Sequence, residues 1–161
     1  MTTQEYNNCV KLYSDAVFRF LLKNLANRAD AEDVMQLTFE KLWLKREVVG
    51  FEKAKSYTFS IAHNSMIDLI RKRKFVKAYE NLPERAGGEF ENQIEARDMM
   101  EQCLEILSPI QRSVILMRDY EGYSYDEIAK MTELTLSQVK VYIFRGRKKL
   151  QAEVNRLSKA S

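Results

Sequence analysis

The sequence predicts an all-helical protein of two small domains joined by a flexible acidic linker, the second domain ending in a helix-turn-helix. Strand-like alternation of apolar and polar residues is nearly absent, and the 161 residues include only two prolines and five glycines. Helix-start signals recur along the chain. Basic residues outnumber acidic ones in residues 1–76 and 109–161, and acidic residues dominate residues 77–108. This charge distribution predicts two nucleic-acid-binding modules and a connector that avoids DNA.

The first two helices are predicted over residues 5–25 and 31–45, where apolar residues recur at helical spacing. Asp30 is placed to cap the second helix. This helix carries two apolar rows side by side, and the second row consists of Met35, Phe39 and Trp43. Two interpretations remain open: a helix buried on two sides of one core, or a partner-protein surface whose apolar anchors lie inside a polar rim.

Residues 47–55 have no clear period and are predicted to form a loop, followed by a helix over residues 56–75. This helix ends in a cationic run from Arg71 to Lys74. Cations suit the negative end of a helix dipole, but aromatic residues before a cationic run also suit single-stranded nucleic acid. The residues alone leave both interpretations open. His63, the sole histidine, has no accompanying catalytic motif and is predicted to be a helix-surface or packing residue.

The segment at 78–93 combines Pro83 with glycines and glutamates, a composition typical of a linker. Helix is predicted to resume near residue 94. Ser108 then starts another helix, with proline at its first position and Gln111 at the capping-box spacing. The polar tail at 151–161 is expected to fray.

The stretch at 124–150 predicts two short helices joined by a tight turn. Ser124 and Thr135 each stand at capping-box spacing from a Glu or Gln and so start the two helices. The second helix has an inward stripe of Val139, Ile143, Gly146 and Leu150. Between Glu133 and Glu153 there is no acidic residue, while five residues are basic. A solvated basic helix is the simpler interpretation, but the combined pattern favours a helix that enters the major groove of DNA.

Several classes of function lack support in the sequence. Cys9 and Cys103 form no metal-ligand spacing, and no catalytic motif or cofactor site is recognisable. The first residues do not form a signal peptide, and no apolar run is long enough to span a membrane. We therefore expect a cytoplasmic protein without a metal or cofactor, whose cysteines are reduced and pack as small apolar residues.

These segments together resemble the extracytoplasmic-function group of bacterial RNA polymerase sigma factors, over nearly the whole chain. DAEDVMQLTFEKLW at 30–43 is similar to the segment of that family that binds the clamp of the largest polymerase subunit. SYTFSIAHNSMIDLIRKRK at 56–74 resembles the segment that melts the promoter and reads its minus-ten element. The motif at 107–150 resembles the minus-thirty-five-binding domain. The resemblance implies region two at 1–76, an acidic linker at 77–95 and region four at 96–161.

Three groups of site residues follow from this resemblance. The polymerase-binding group consists of Asp33, Gln36, Phe39, Glu40 and Trp43. The group that contacts minus-ten DNA consists of Phe51, Lys53, Tyr57, Asn64, Arg71 and Arg73. The group that contacts minus-thirty-five DNA consists of Thr135, Ser137, Gln138, Lys140, Val141, Phe144, Arg145, Arg147 and Lys148. In this last group the two arginines and Lys148 are expected to hold phosphates.

The resemblance implies an alternative sigma factor that binds core RNA polymerase, directs promoter recognition and initiation, and is held inactive by an anti-sigma factor. Such a factor is not itself an enzyme. The sequence departs from the family at Glu133, where glycine is usual, and at Gly146, where alanine is usual. One alternative is a helix-turn-helix regulator that acts on duplex DNA without joining polymerase. A small nuclease is a further alternative, but no carboxylate pair with metal spacing supports it.

Overall fold

The computed structural model describes residues 1–80 and 99–160, and every regular element within them is a helix or a helical turn. The prediction of an all-helical fold is therefore confirmed. Most of the predicted acidic linker lies outside the described residues. Its first four residues, 77–80, belong to the last helix of the N-terminal domain.

Three long helices build the N-terminal domain. They are α1 (Thr3–Leu25), α2 (Arg28–Leu44) and α3 (Ala54–Glu80), with a 3-10 turn at Phe51–Lys53 in front of α3. All three helices pack against one another. Since α3 begins two residues before its predicted start and the 3-10 turn precedes it, much of the predicted loop at 47–55 is helical.

The start of α2 differs from the prediction. Its N-cap is Asn27, whose side-chain oxygen accepts a hydrogen bond from the backbone N–H of Asp30 at 3.0 Å. Asp30 is instead buried within the first turn, where it forms an ion pair with Arg73 on α3. Asn and Asp are both good N-cap residues. Asn27 takes this position because the Asp30 side chain is paired with Arg73.

Four helices and one π-helical turn make up the described part of the C-terminal domain. They are α4 (Met99–Glu105), α5 (Pro109–Ile115), the π-helical turn Leu116–Tyr120, α6 (Tyr125–Thr132) and α7 (Leu136–Ala160). The predicted capping box of Ser108 and Gln111 is present at the start of α5. The tail that was expected to fray is helical through Ala160, because its inner face packs against α4.

A close helix crossing brings α7 against α5. Gly146 on α7 is buried, and a Cβ atom at this position would lie 2.4 Å from Cδ1 of Ile115. Glycine weakens the interior of a helix by roughly 1 kcal/mol relative to alanine. Because that atom is the end of a flexible side chain, Ile115 would have to change its rotamer to admit the alanine that is usual here in the family that the sequence resembles.

The two domains share one hydrophobic core. Phe20 on α1, Phe59 on α3 and Tyr123 in front of α6 form a chain of edge-on aromatic contacts, with successive ring centroids 5.8 Å and 5.3 Å apart. Helix α3 packs along α6, and α1 and α3 both contact α5. The described residues thus form a closed arrangement in which the C-terminal domain lies against α1 and α3.

Candidate functional site

The helix-turn-helix is formed by α6 and α7. Ser124 and Glu127 form the predicted capping box at the start of α6, and Thr135 and Gln138 form the second one at the start of α7. Between them Glu133 has φ 61° and ψ 22°, a left-handed conformation. This conformation costs a non-glycine residue roughly 1–2 kcal/mol, which accounts for the glycine usual there in the family that the sequence resembles.

Helix α7 has two distinct faces. Val139, Ile143 and Gly146 are buried against the rest of the C-terminal domain, as predicted. The opposite face is exposed and carries four of the side chains predicted to contact minus-thirty-five DNA, namely Ser137, Lys140, Val141 and Phe144. Phe144 is 60% exposed although it is a large apolar residue. These four side chains are thus accessible to a partner, and helices of this kind can enter the major groove of DNA.

Some predicted DNA contacts of α7 have intramolecular partners in the structure. The side-chain oxygen of Gln138 accepts a hydrogen bond from the backbone N–H of Thr135 at 2.9 Å. Arg147 forms a fork with both carboxylate oxygens of Asp119, at 2.6 Å and 3.2 Å. The ammonium of Lys148 lies 4.7 Å from the ring centroid of Phe144. Arg145 is exposed.

The predicted polymerase-binding residues on α2 divide into surface and core. Asp33, Gln36 and Glu40 are exposed along one face, and the amide of Gln36 donates to Glu40 at 3.4 Å. The ring of Phe39 is only 9% exposed and belongs to the hydrophobic core. Phe39 is therefore not accessible to a partner, whereas Asp33, Gln36 and Glu40 are accessible on the polar face of α2.

Trp43 lies at the edge of the core, next to an open cavity. Its ring makes an edge-on contact with Tyr6 at 4.9 Å between centroids, and the guanidinium of Arg46 lies 3.7 Å from its ring centroid. The cavity has a volume of about 520 Å³ and is lined by Tyr6, Glu40, Trp43 and Leu44. Leu44 is 76% exposed, so this region presents an apolar surface beside the polar face of α2.

The predicted minus-ten residues follow the 3-10 turn and α3. Phe51 and Lys53 are exposed on the 3-10 turn, and Tyr57 is half-buried against the core. Asn64 and Arg71 are exposed on α3. Arg73, the last residue of this group, already has a partner within the protein. Its Nη2 donates to Oδ1 of Asp30 at 2.7 Å, and this contact joins α3 to α2.

The contact between the two domains includes polar groups that sequence reasoning did not find. The Nδ1 atom of His63 lies 2.7 Å from the hydroxyl of Ser113, and both side chains are buried. Lys55 and Glu127 form an ion pair at 3.0 Å, and this hydrogen bond lowers the pKa of the Glu127 carboxyl. These pairs join residues 50 and 72 positions apart, so no local pattern in the sequence marks them.

Burial at this contact shifts the titration of two groups. Desolvation, followed by the positive charge of Arg71, lowers the pKa of His63 to about 4. Desolvation, followed by the charge of Glu121, raises the pKa of Tyr123 to about 12. His63 is thus a neutral packing residue, which is one of the two roles predicted for it, and its hydrogen-bond partner Ser113 belongs to the other domain.

In residues 1–80 and 99–160, no group of three or more His, Cys, Asp or Glu side chains is arranged to hold a metal ion. Among these same residues, no helix combines the length and the apolar character needed to cross a membrane.

The fold and the exposed face of α7 define a two-domain helical DNA-binding protein that ends in a helix-turn-helix. The family description of sigma-70 region 2 matches residues 9–76, and that of sigma-70 region 4 matches residues 97–150. Together the two matches cover most of the chain. The protein belongs to the sigma-70 family of RNA polymerase sigma factors, in the extracytoplasmic-function group.

Curated relatives and solved structures are consistent with this family. The chain is 26% identical to the ECF RNA polymerase sigma factor SigM of Bacillus subtilis, over 91% of this chain and 93% of SigM. It is 29% identical to the ferric citrate uptake sigma factor FecI of Escherichia coli, over 79% of this chain and 78% of FecI. The fold is similar to the sigma factor RpoE in its complex with the anti-sigma factor NepR from Bartonella quintana. That similarity has a TM-score of 0.76 at 22% identity, over 95% of this chain and 98% of RpoE.

Proposed function

We propose that this chain is an alternative sigma factor that binds core RNA polymerase and directs transcription initiation at its own set of promoters. The observation that carries the proposal is the presence of two exposed cationic helix faces on separate domains. One is the end of α3 and the other is the outer face of α7. A factor that recognises two separated promoter elements needs two such faces. It works in the cytoplasm and carries no catalytic step of its own.

The proposed division of labour follows the two domains. Residues 1–76 bind polymerase and the minus-ten element, residues 77–95 connect the domains, and residues 96–161 bind the minus-thirty-five element. Asn64 and Arg71 contact the opened minus-ten strand, while Phe51 and Lys53 contribute to the site of a flipped base. Flipping costs a few kcal/mol of unstacking, which contacts to the extruded base offset.

On α7, Ser137, Lys140, Val141 and Phe144 read base edges, and Arg145 and Lys148 hold phosphates. Arg147 joins them after it releases Asp119. This exchange replaces an exposed ion pair, which contributes about 0–1 kcal/mol, with a phosphate contact.

The polar face of α2 is the proposed polymerase contact. Asp33, Gln36 and Glu40 supply exposed polar groups, Trp43 and Leu44 supply adjacent apolar area, and the buried ring of Phe39 holds the helix in place. Polar residues around an apolar centre are typical of a protein interface.

An anti-sigma factor is the proposed regulator. One solved structure with a similar fold is the sigma factor RpoE in complex with the anti-sigma factor NepR, and another is CnrH in complex with the cytosolic domain of CnrY. In the proposed inactive state, the anti-sigma factor covers the polymerase-binding face.

Binding of labelled protein to purified core polymerase tests the polymerase contact. The triple variant Asp33→Ala, Gln36→Ala, Glu40→Ala should bind at least about tenfold more weakly, equivalent to about 1.4 kcal/mol. Asp15→Ala, which removes an exposed carboxylate from α1, is the matched control and should bind like the wild type. Equal binding by the triple variant and the control would exclude this face of α2 as the contact.

A further inference from the structure

One acidic side chain reaches the cationic face of α7. Between Glu133 and Glu153 this helix carries five basic residues and no acidic one. Asp119, which lies in the π-helical turn that precedes the helix-turn-helix, places its carboxylate against Arg147 on this face. In the described part of the chain, Arg147 is the only one of the five basic residues that has a carboxylate partner. The pair is thus an exception on the face that is proposed to contact duplex DNA.

The contact uses the groups with which an arginine binds phosphate. Nε and Nη2 of Arg147 donate to the two carboxylate oxygens of Asp119, at 3.2 Å and 2.6 Å. Two parallel hydrogen bonds of this kind are the arrangement in which a guanidinium binds either a carboxylate or a phosphate. While the contact persists, this edge of the Arg147 guanidinium is closed to a DNA phosphate. The carboxylate of Asp119 therefore occupies the place of a phosphate.

The backbone of the π-helical turn holds Asp119 in this position. The N–H of Glu121 donates to the carbonyl oxygen of Leu116, and that of Tyr123 donates to the carbonyl oxygen of Met117, both at 3.0 Å. Leu116 and Met117 are buried, so the core of the domain anchors the turn. A π-helical turn redirects the side chains within it, and such turns are frequent at functional sites. The placement of Asp119 therefore follows from the fold of the domain.

Stability alone does not account for the pair. The side chains of Asp119 and Arg147 are 38% and 48% exposed. Ion pairs with this exposure contribute little to folding, because water and salt screen them. A carboxylate beside a DNA-facing cation acts directly on binding, since it competes with phosphate for the guanidinium and repels the phosphates nearby. The pair thus has a larger consequence for DNA binding than for the stability of the fold.

We propose that Asp119 is an affinity-setting residue, which competes with DNA phosphate for Arg147 and so weakens the binding of the free chain to duplex DNA. The proposal rests on the proposed contact of α7 with duplex DNA and does not depend on the contact with polymerase. Weak binding keeps the free chain off non-specific duplex, because phosphate contacts dominate binding of that kind. In a complex with polymerase, the high effective concentration of the promoter compensates for the weak contact.

Binding of the full chain to a fluorescein-labelled DNA duplex of mixed sequence tests the proposal, at about 50 mM and about 150 mM salt. Asp119→Asn keeps the size of the side chain and removes its charge. It should bind at least about threefold more tightly than the wild type at the lower salt, and the gain should shrink at the higher salt. Asp126→Asn is the matched control. It removes an exposed carboxylate from α6 that has no ion-pair partner among the described residues, and its affinity should stay within about 1.5-fold of the wild type.

Arg147→Gln shows whether the effect depends on the ion pair. In this background Asp119→Asn should change the affinity by less than about 1.5-fold, because no guanidinium remains to be released. An equal gain with and without Arg147 would overturn the proposal and assign the gain to the loss of negative charge alone. Unchanged or weaker binding by the single variant Asp119→Asn would also overturn it, and weaker binding would show that Asp119 positions Arg147 for DNA.

A further variant separates this proposal from the proposed contact of α7 with DNA. Arg145→Ala, Lys148→Ala removes two proposed phosphate contacts and should bind the same duplex at least about fivefold more weakly. Unchanged binding by this variant would overturn the proposed contact, and the role of Asp119 with it. Weaker binding by this variant, together with wild-type affinity of Asp119→Asn, would overturn the role of Asp119 alone. Circular dichroism of every variant checks that it is folded.

Discussion

His63 provides a direct test of the closed arrangement, because its buried ring contacts Ser113 of the other domain. The side chain is 5% exposed, and its Nδ1 atom lies 2.7 Å from Ser113. Burial, followed by the charge of Arg71, lowers its pKa from 6.5 to about 4. The unfolded chain therefore takes up a proton below pH 6.5 that the folded chain excludes until about pH 4. Stability from this group is fully present above pH 6.5 and is lost as the pH falls towards 4.

The size of the effect follows from the shift. Each pKa unit corresponds to 1.36 kcal/mol, so complete titration changes the free energy of unfolding by about 3 kcal/mol. About 2 kcal/mol of this is lost between pH 7 and pH 5. His63→Gln keeps a polar side chain opposite Ser113 and removes the titration. Carboxylates change the stability of both proteins equally, so the difference between them isolates His63.

Urea unfolding of both proteins at pH 7, 6 and 5 measures this difference. The wild type should lose about 2 kcal/mol more than His63→Gln over that range. Because the chain has a single histidine, its imidazole signals in an NMR titration are unambiguous and should show a midpoint near pH 4. Parallel loss of stability in the two proteins, or a midpoint near pH 6.5, would refute the closed arrangement.

Three further substitutions test local features of the fold by thermal or urea unfolding. Glu133→Gly should stabilise the protein by about 1 kcal/mol, because glycine adopts the left-handed turn without strain; a decrease in stability would contradict this explanation. Gly146→Ala should gain roughly 1 kcal/mol in helix propensity and lose about 1–3 kcal/mol to the contact with Ile115, so the net loss is at most about 2 kcal/mol; adding Ile115→Val should recover part of the loss by removing the Cδ1 atom that the new methyl group meets. If the double variant recovers no stability, the loss in Gly146→Ala does not come from the contact with Ile115. Arg73→Gln should lower the free energy of unfolding by about 1–3 kcal/mol because it removes a charged partner of the buried Asp30. An unchanged unfolding midpoint would show that other groups stabilise the Asp30 carboxylate.

The features that could be predicted from the sequence are those determined within a few residues. The capping boxes at Ser108, Ser124 and Thr135 each depend on two side chains three positions apart, and all three are present. The inward stripe of Val139, Ile143 and Gly146 follows from helical periodicity and is buried. Local patterns therefore identified the helix-turn-helix and its exposed face.

The features that could not be predicted depend on contacts between distant segments. Asp30 and Asn27 are both suitable caps, and only the ion pair with Arg73, 43 residues away, shows why Asn27 takes that role. The contact of His63 with Ser113 joins the two domains and has no signature in either segment. For the same reason the sequence left open whether the second apolar row of α2 is buried: Phe39 lies in the core, whereas Met35 and Trp43 are half-buried.

Permanganate footprinting of unpaired thymines tests directly whether this protein enables core polymerase to open promoter DNA. Core polymerase would be incubated with a library of promoter DNA, with and without this protein. Opening should depend on the protein and should select two sequence blocks, one at minus ten and one at minus thirty-five. The contrary result is firm duplex binding by the protein alone, without opening and without association with core. It would contradict the proposed sigma function and identify a regulator that acts without joining polymerase.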